Sequence, residues 1–95
     1  MSRDDIRHTK RGTTPPGEML RQEFLTPLGL SATALAAELE VPTNRITEMI
    51  AGRRGMTADT ALRLAKRFDT SPEFWMNLQS MHDLSKAVLA ARAAD

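Results

Sequence analysis

The stretch that decides the fold is residues 35–50: Leu35-Ala36-Ala37-Glu38-Leu39-Glu40-Val41-Pro42-Thr43-Asn44-Arg45-Ile46-Thr47-Glu48-Met49-Ile50. Ser31 ahead of it is a good N-cap, and Leu35, Ala36 and Leu39 share one face of a short helix. Pro42 interrupts the next junction, after which Ile46, Met49 and Ile50 recur at helical spacing as far as Gly52. A helix-turn-helix needs a small residue at a close helix crossing, a tight turn roughly three to five residues on, and an apolar anchor about ten residues after the small one. Ala36, the turn Glu40-Val41-Pro42, and Ile46 with Met49 meet these requirements, and Leu35, Leu39 and Val41 fill the wedge between the helices. The same spacing also suits an ordinary helix hairpin with no role on DNA. One position departs from the pattern. Glycine is usual where Glu40 stands, and at positive φ a glutamate costs on the order of 1 kcal/mol; a turn that tolerates a side chain is the alternative.

Outward from this centre the pattern is helical throughout. Pro16 opens a first helix carrying Leu20, Phe24 and Leu28, which Pro27 and Gly29 end. Thr57 caps a fourth helix with Ala61, Leu64, Ala65 and Phe68 on one face. Ser71-Pro72 is a cap followed by proline at the first helical position, and it opens a fifth helix through Phe74, Trp75, Leu78 and Met81. The apolar pattern continues into Leu84, Val88 and Leu89, where an alanine-rich end either extends the helix or frays. No window alternates as a strand would. The chain is expected to be all-α, a five-helix domain over residues 16–95 behind a flexible polar arm over residues 1–15, which ends in Thr13-Thr14-Pro15-Pro16.

The 95 residues form one domain at most, and 13 of the apolar residues are alanines, so the core is thin for a monomer. There is no cysteine, hence no disulfide, thiolate metal site or thiol nucleophile. No stretch reaches the roughly 18 to 20 apolar residues of a membrane span, and residues 1–14 carry no apolar block of a signal peptide, so a soluble cytoplasmic protein is expected. The two histidines, His8 and His82, have no paired carboxylate spacing, so no metal or cofactor is expected. Ser80, His82 and Asp83 are triad residue types, but neighbours on a helix face different ways. An enzyme is not expected.

The net charge of +1 hides an asymmetry. Residues 41–67 hold Arg45, Arg53, Arg54, Arg63, Lys66 and Arg67 against Glu48 and Asp59, a balance of +4, while residues 16–40 stand at −3 and residues 68–95 at −2. Positive charge gathered in one segment is what a nucleic-acid binder shows. On the third helix Thr43, Asn44, Arg45, Thr47 and Glu48 point away from Ile46, Met49 and Ile50. Asparagine pairs two ways with adenine, arginine forks onto guanine and glutamate accepts from cytosine, so these five are the candidate base-reading residues; a solvated polar face is the plainer account. Arg53 and Arg54, with Ser31 and Thr33 at the start of the second helix, are the candidate phosphate contacts. Arg63, Lys66 and Arg67 suit the wet side of the fourth helix.

Phe74 and Trp75 are neighbours and so point about 100° apart on a helix. One is expected to pack inside while the other meets a partner, which makes Phe74, Trp75 and Leu78 the candidate homodimer interface, unless this chain's own helices cover both. A two-fold would suit an operator reader.

Several runs bear a family likeness: Pro16-Gly17-Glu18-Met19-Leu20-Arg21-Gln22-Glu23-Phe24-Leu25, Pro27-Leu28-Gly29-Leu30-Ser31, Val41-Pro42-Thr43-Asn44-Arg45-Ile46, Gly52 to Leu64, and Ser71-Pro72-Glu73-Phe74-Trp75-Met76-Asn77-Leu78-Gln79. In order and almost without gaps over about residues 15 to 85, they resemble the HigA antitoxin family, also called virulence-associated protein I. That family lies within the lambda-repressor-like helix-turn-helix superfamily. The Pro-Gly-Glu opening and the Ser-Pro-Glu-Phe-Trp block mark the family; the helix-turn-helix marks only the superfamily. Pro15 stands where the family usually has histidine, and Glu40 departs at the turn. The resemblance implies a five-helix lambda-repressor-like domain with a C-terminal helical extension. It also implies a dimeric repressor that binds its own double-stranded DNA operator and neutralises a HigB toxin, a RelE-type mRNA endonuclease. A solitary regulator, or a protein-binding module that no longer reads DNA, are the other functions the chain would suit.

Overall fold

The structure, a computed structural model, describes residues 14–94. The polar arm expected over residues 1–15 therefore falls almost wholly outside the described residues. Helix α1 comprises Pro16–Leu20, a π-helical turn Arg21–Leu25, and Thr26–Leu28. Pro27 accounts for the wide turn. It has no N–H for the Glu23 carbonyl, and in a regular α-turn its ring would strike that carbonyl. The helix widens instead, and the Thr26 N–H donates to the Arg21 carbonyl. Then follow α2 (Ala32–Leu39), α3 (Thr43–Ile50), α4 (Ala58–Phe68) and α5 (Pro72–Ala94), with no strand among the described residues. The alanine-rich end continues α5 as far as Ala94.

The three expected caps form. The Ser31 hydroxyl accepts from the Ala34 N–H at 3.0 Å, Thr57 from Thr60 at 3.4 Å and Ser71 from Phe74 at 3.1 Å. Such caps are worth about 1 kcal/mol each.

Helices α1 to α4 all stop on a left-handed residue: Gly29 (φ 63°), Glu40 (φ 60°), Gly52 (φ 81°) and Asp69 (φ 57°). In each, the next N–H reaches back five residues, from Leu30 to Leu25, Val41 to Ala36, Arg53 to Glu48 and Thr70 to Ala65. This 6→1 bond is that of a Schellman motif, and it satisfies a carbonyl the helix would otherwise leave open. Glu40 thus does take the positive φ, and the glutamate carries the left-handed strain in order to hold the turn between α2 and α3.

Leu20, Leu35, Ile46, Met49, Leu64 and Trp75 are the largest buried side chains, joined by Leu25, Ala36, Leu39, Met56, Ala61 and Ala65. All four aromatic residues form one cluster around Phe24, whose ring lies 4.8 Å from Phe68, 5.1 Å from Trp75 and 6.5 Å from Phe74. Here one expectation is corrected. Trp75 is 0% exposed within its own chain, and its indole N–H donates to the Thr70 hydroxyl at 2.8 Å, so it has no surface left for a partner. Phe74 and Leu78 are half-buried against the same core. The two neighbouring aromatics do point apart, but Phe24 on α1 is large enough to meet both.

Helices α1 and α3 cross at backbone contact. A Cβ at Gly17 would lie 1.9 Å from the Met49 carbonyl oxygen and 2.8 Å from the Ile50 Cα, so only glycine fits there.

Replacing Glu40 with glycine should relieve the left-handed strain and raise stability by up to about 1 kcal/mol. Urea unfolding of the two proteins checks this, and an unchanged or lower midpoint would mean that Glu40 makes a compensating contact.

Candidate nucleic-acid interface

Ile46 and Met49 anchor α3 in the core and turn the opposite side of the helix outward. Thr43, Asn44 and Thr47 are exposed there, and no hydrogen bond to another described residue occupies their side chains. The other two candidates are engaged. Arg45 is half-buried at 29% side-chain exposure, with its Nη1 2.5 Å from Asp59 Oδ2. Glu48 accepts from the Nε and Nη2 of Arg54 at 3.1 and 2.9 Å. The five candidates therefore share one helix, but Thr43, Asn44 and Thr47 stand open while Arg45 and Glu48 are held by neighbours.

The candidate phosphate contacts divide in the same way. Arg53 is exposed and in no ion pair with a described residue, whereas Arg54 is tied to Glu48. Thr33 is exposed in the first turn of α2, and Ser31 is exposed although its oxygen is used as the cap. The loop that carries Arg53 and Arg54 is tethered to α5 by Gln79, whose Oε1 accepts from the Met56 N–H at 2.7 Å and whose Nε2 donates to Asp83 at 3.0 Å.

Arg63 and Arg67 do more than wet the outside of α4. Arg63 donates from Nη1 to the Leu39 carbonyl at 2.6 Å and from Nε to Asp59 at 3.0 Å, and Arg67 donates from Nε to Glu38. The last turn of α2 is thus braced by cations where its free carbonyls and its dipole favour them. Two residues that the sequence pattern does not single out now have positions of consequence. Gln79 holds the loop, and Arg21, exposed on the π-helical turn, lines a groove together with Ser31 and Ile50. Gln79 had no signal beyond lying in a family-marking block; Arg21 is the only cation in residues 16–40.

Asp59 is the junction of this network. Hydrogen bonds from Arg45 and then from Arg63 hold its carboxyl below the usual aspartate value, against the opposing effect of desolvation. The folded value lies below the unfolded one. The pairing therefore contributes fully above the ordinary aspartate range and is lost as pH falls through the folded value.

A small-residue crossing, a Schellman turn and an exposed polar face on the second helix define a helix-turn-helix domain. The helix-turn-helix (HTH_3) family model matches residues 11–75. Virulence-associated protein I of Dichelobacter nodosus is 51% identical over 72 residues, which cover 76% of this chain and 67% of that protein. Antitoxin HigA-1 of Vibrio cholerae serotype O1 is 42% identical over 79 residues, 83% of this chain and 74% of that protein. The structure of the Pseudomonas aeruginosa antitoxin HigA with the higBA promoter superposes with a TM-score of 0.81 at 43% identity, covering 86% of this chain and 89% of that one. The chain belongs to the helix-turn-helix family of HigA antitoxins and virulence-associated protein I. This is a family of DNA-binding and antitoxin proteins, not of enzymes. Among the described residues no helix is long and apolar enough to cross a membrane.

An NMR titration of the Asp59 carboxyl carbon should give a midpoint below the usual aspartate value, and Arg45→Ala should move it back upward, because Arg45 is the largest cause of the shift. A midpoint indifferent to Arg45 would show that the pair does not form in solution.

Proposed function

We propose that this protein is a cytoplasmic, operator-binding antitoxin: a homodimeric repressor of its own operon that also neutralises a HigB-type toxin. One observation carries the DNA-binding part. Helix α3 is seated by Ile46 and Met49 so that Thr43, Asn44 and Thr47 face outward beside Arg45, with no side-chain hydrogen bond to a described residue. In a lambda-repressor-like domain that helix enters the major groove. Asn44 has the two-way chemistry for adenine and Arg45 the fork for guanine, while Thr43 and Thr47 offer hydroxyls and methyls to neighbouring bases. Glu48 reaches a base only by giving up Arg54. Arg53, in no ion pair with a described residue, supplies a cation for one phosphate strand, and the start of α2, with Ser31, Thr33 and its N–H groups, serves the other. The HigA relative whose structure contains its promoter supports the assignment.

Because Trp75 is buried, the proposed dimer surface is assigned further along α5. Met81, Leu84 and Val88 lie one turn apart on the helix and are exposed, at 49%, 63% and 48%. Phe74 and Leu78 flank this stripe at the core end. A two-fold built on α5 would present two α3 helices to half-sites about one turn of DNA, roughly 34 Å, apart. Toxin neutralisation rests on family membership. Co-purification of this chain with the product of the neighbouring toxin-like reading frame, when the two are expressed together, tests it, and failure to co-purify would leave a solitary regulator.

Gel-shift titration with the chain's own upstream DNA, at two salt concentrations and against random competitor, tests the operator reading. Arg45→Ala should lower discrimination at particular bases, whereas Arg53→Ala should weaken binding to every sequence and flatten the salt slope by about one unit. Equal loss on operator and random DNA for Arg45→Ala would remove Arg45 from the reading set. In sedimentation, Leu84→Glu should shift the protein toward monomer, and an unchanged dimer would place the interface elsewhere.

A further inference from the structure

Arg45 does not stand alone on the reading face, and its restraint has a definite anatomy. Its Nη1 is 2.5 Å from Asp59 Oδ2, and the same oxygen accepts from Arg63 Nε at 3.0 Å. The Nη1 of Arg63 in turn donates to the Leu39 carbonyl at 2.6 Å, at the last turn of α2. Asp59 sits in the first turn of α4, whose start is set by the Thr57 cap and by the buried Thr60 and Ala61. Three residues separated by 14 and 4 positions in the chain thus form one line from the end of α2, through α4, to the side chain on α3.

From this line we infer that Asp59 is a specificity-positioning residue, which orients the Arg45 guanidinium for base reading and lowers affinity for DNA that offers no matching base. A long arginine side chain normally loses much rotamer freedom when it is fixed on a base, and a guanidinium already fixed loses less. Arginine has five N–H donors, so a bond from Nη1 to Asp59 leaves donors for a guanine edge. The Asp59 side chain is itself 55% exposed beside the reading helix, so its charge opposes the approach of any phosphate backbone. Orientation improves the matched site; repulsion penalises all sites. Orientation is what raises the ratio of matched to unmatched binding, while repulsion keeps binding to unmatched DNA weak in absolute terms, and an operator protein requires both.

This inference rests on the proposed reading of DNA by α3, and its test keeps the two separate. A duplex that the wild-type protein selects from a random pool, the set of its single-base variants, and a random duplex are titrated with wild type, Asp59→Asn, Arg45→Ala and the double variant. Asp59→Asn should bind random duplex more tightly and lose preference at the base pair read by Arg45 by about fivefold or more, the scale of one fork-to-guanine contact. In the Arg45→Ala background the same change should leave every base preference as it was, and Asp59→Glu should restore most of the preference lost in Asp59→Asn. A purely structural role at the start of α4 would instead lower the thermal midpoint and weaken all duplexes alike. Asp59→Ser, equally suited to a helix first turn, repeats the test should Asp59→Asn fold poorly. Wild type without base preference would overturn the DNA reading and this inference together. Wild-type preference retained in Asp59→Asn, or lost equally without Arg45, would overturn this inference alone.

Discussion

The start of α1 and the end of α3 meet at backbone contact, and the rest of the domain is arranged around that meeting. The Met49 carbonyl oxygen lies where a side chain on residue 17 would be, and the same oxygen accepts from the Gly52 N–H at 3.1 Å as α3 ends. One carbonyl therefore marks both the seat of α3 and the departure of the loop that carries Arg53. The Met49 side chain is buried in the same core cluster as Leu20 and Ile46, so the crossing is packed as well as close.

The second constraint is electrostatic. The cluster of cations over residues 41–67 suggests a basic patch, but folding spends most of it on internal partners. Arg45 and Arg63 share Asp59, Arg54 takes Glu48, and Arg67 takes Glu38 from α2. Exposed pairs of this kind contribute little to stability. Their effect here is geometric: they orient long side chains and brace the end of α2. Arg53 is the cation of the loop that is in no ion pair with a described residue. On the proposed DNA-binding reading, a surface so balanced would leave less of the grip to charge alone and more to the fit of the exposed α3 side chains.

Much of the architecture was legible from the chain. Ser31, Thr57 and Ser71 cap as such residues do, Gly29 and Gly52 stop helices where left-handed backbone is needed, and the Ala36 to Ile46 spacing marks the turn. These are local effects, decided within a few residues. Other features were not legible. The widening of α1 depends on how Pro27 meets the turn before it. The depth of Trp75 depends on Phe24, some fifty residues earlier. A helical period states the angle between Phe74 and Trp75 but not which of them the core takes.

By itself, the sequence determined that this protein is all-helical, where its helices begin and end, and which polar residues lie outward on the third helix, because caps, prolines and apolar period act over one or two turns. Only the tertiary structure decided which outward residues are held by other described residues. Arg45 and Asp59 lie 14 positions apart, Arg67 and Glu38 lie 29 apart, and Gln79 reaches Met56 across 23. Partners so distant are chosen by how helices cross, and no local pattern carries that information. The same crossings buried Trp75 and left Met81, Leu84 and Val88 bare, so the packing of five helices, rather than the hydrophobicity of any residue, determined which apolar surface remained outside.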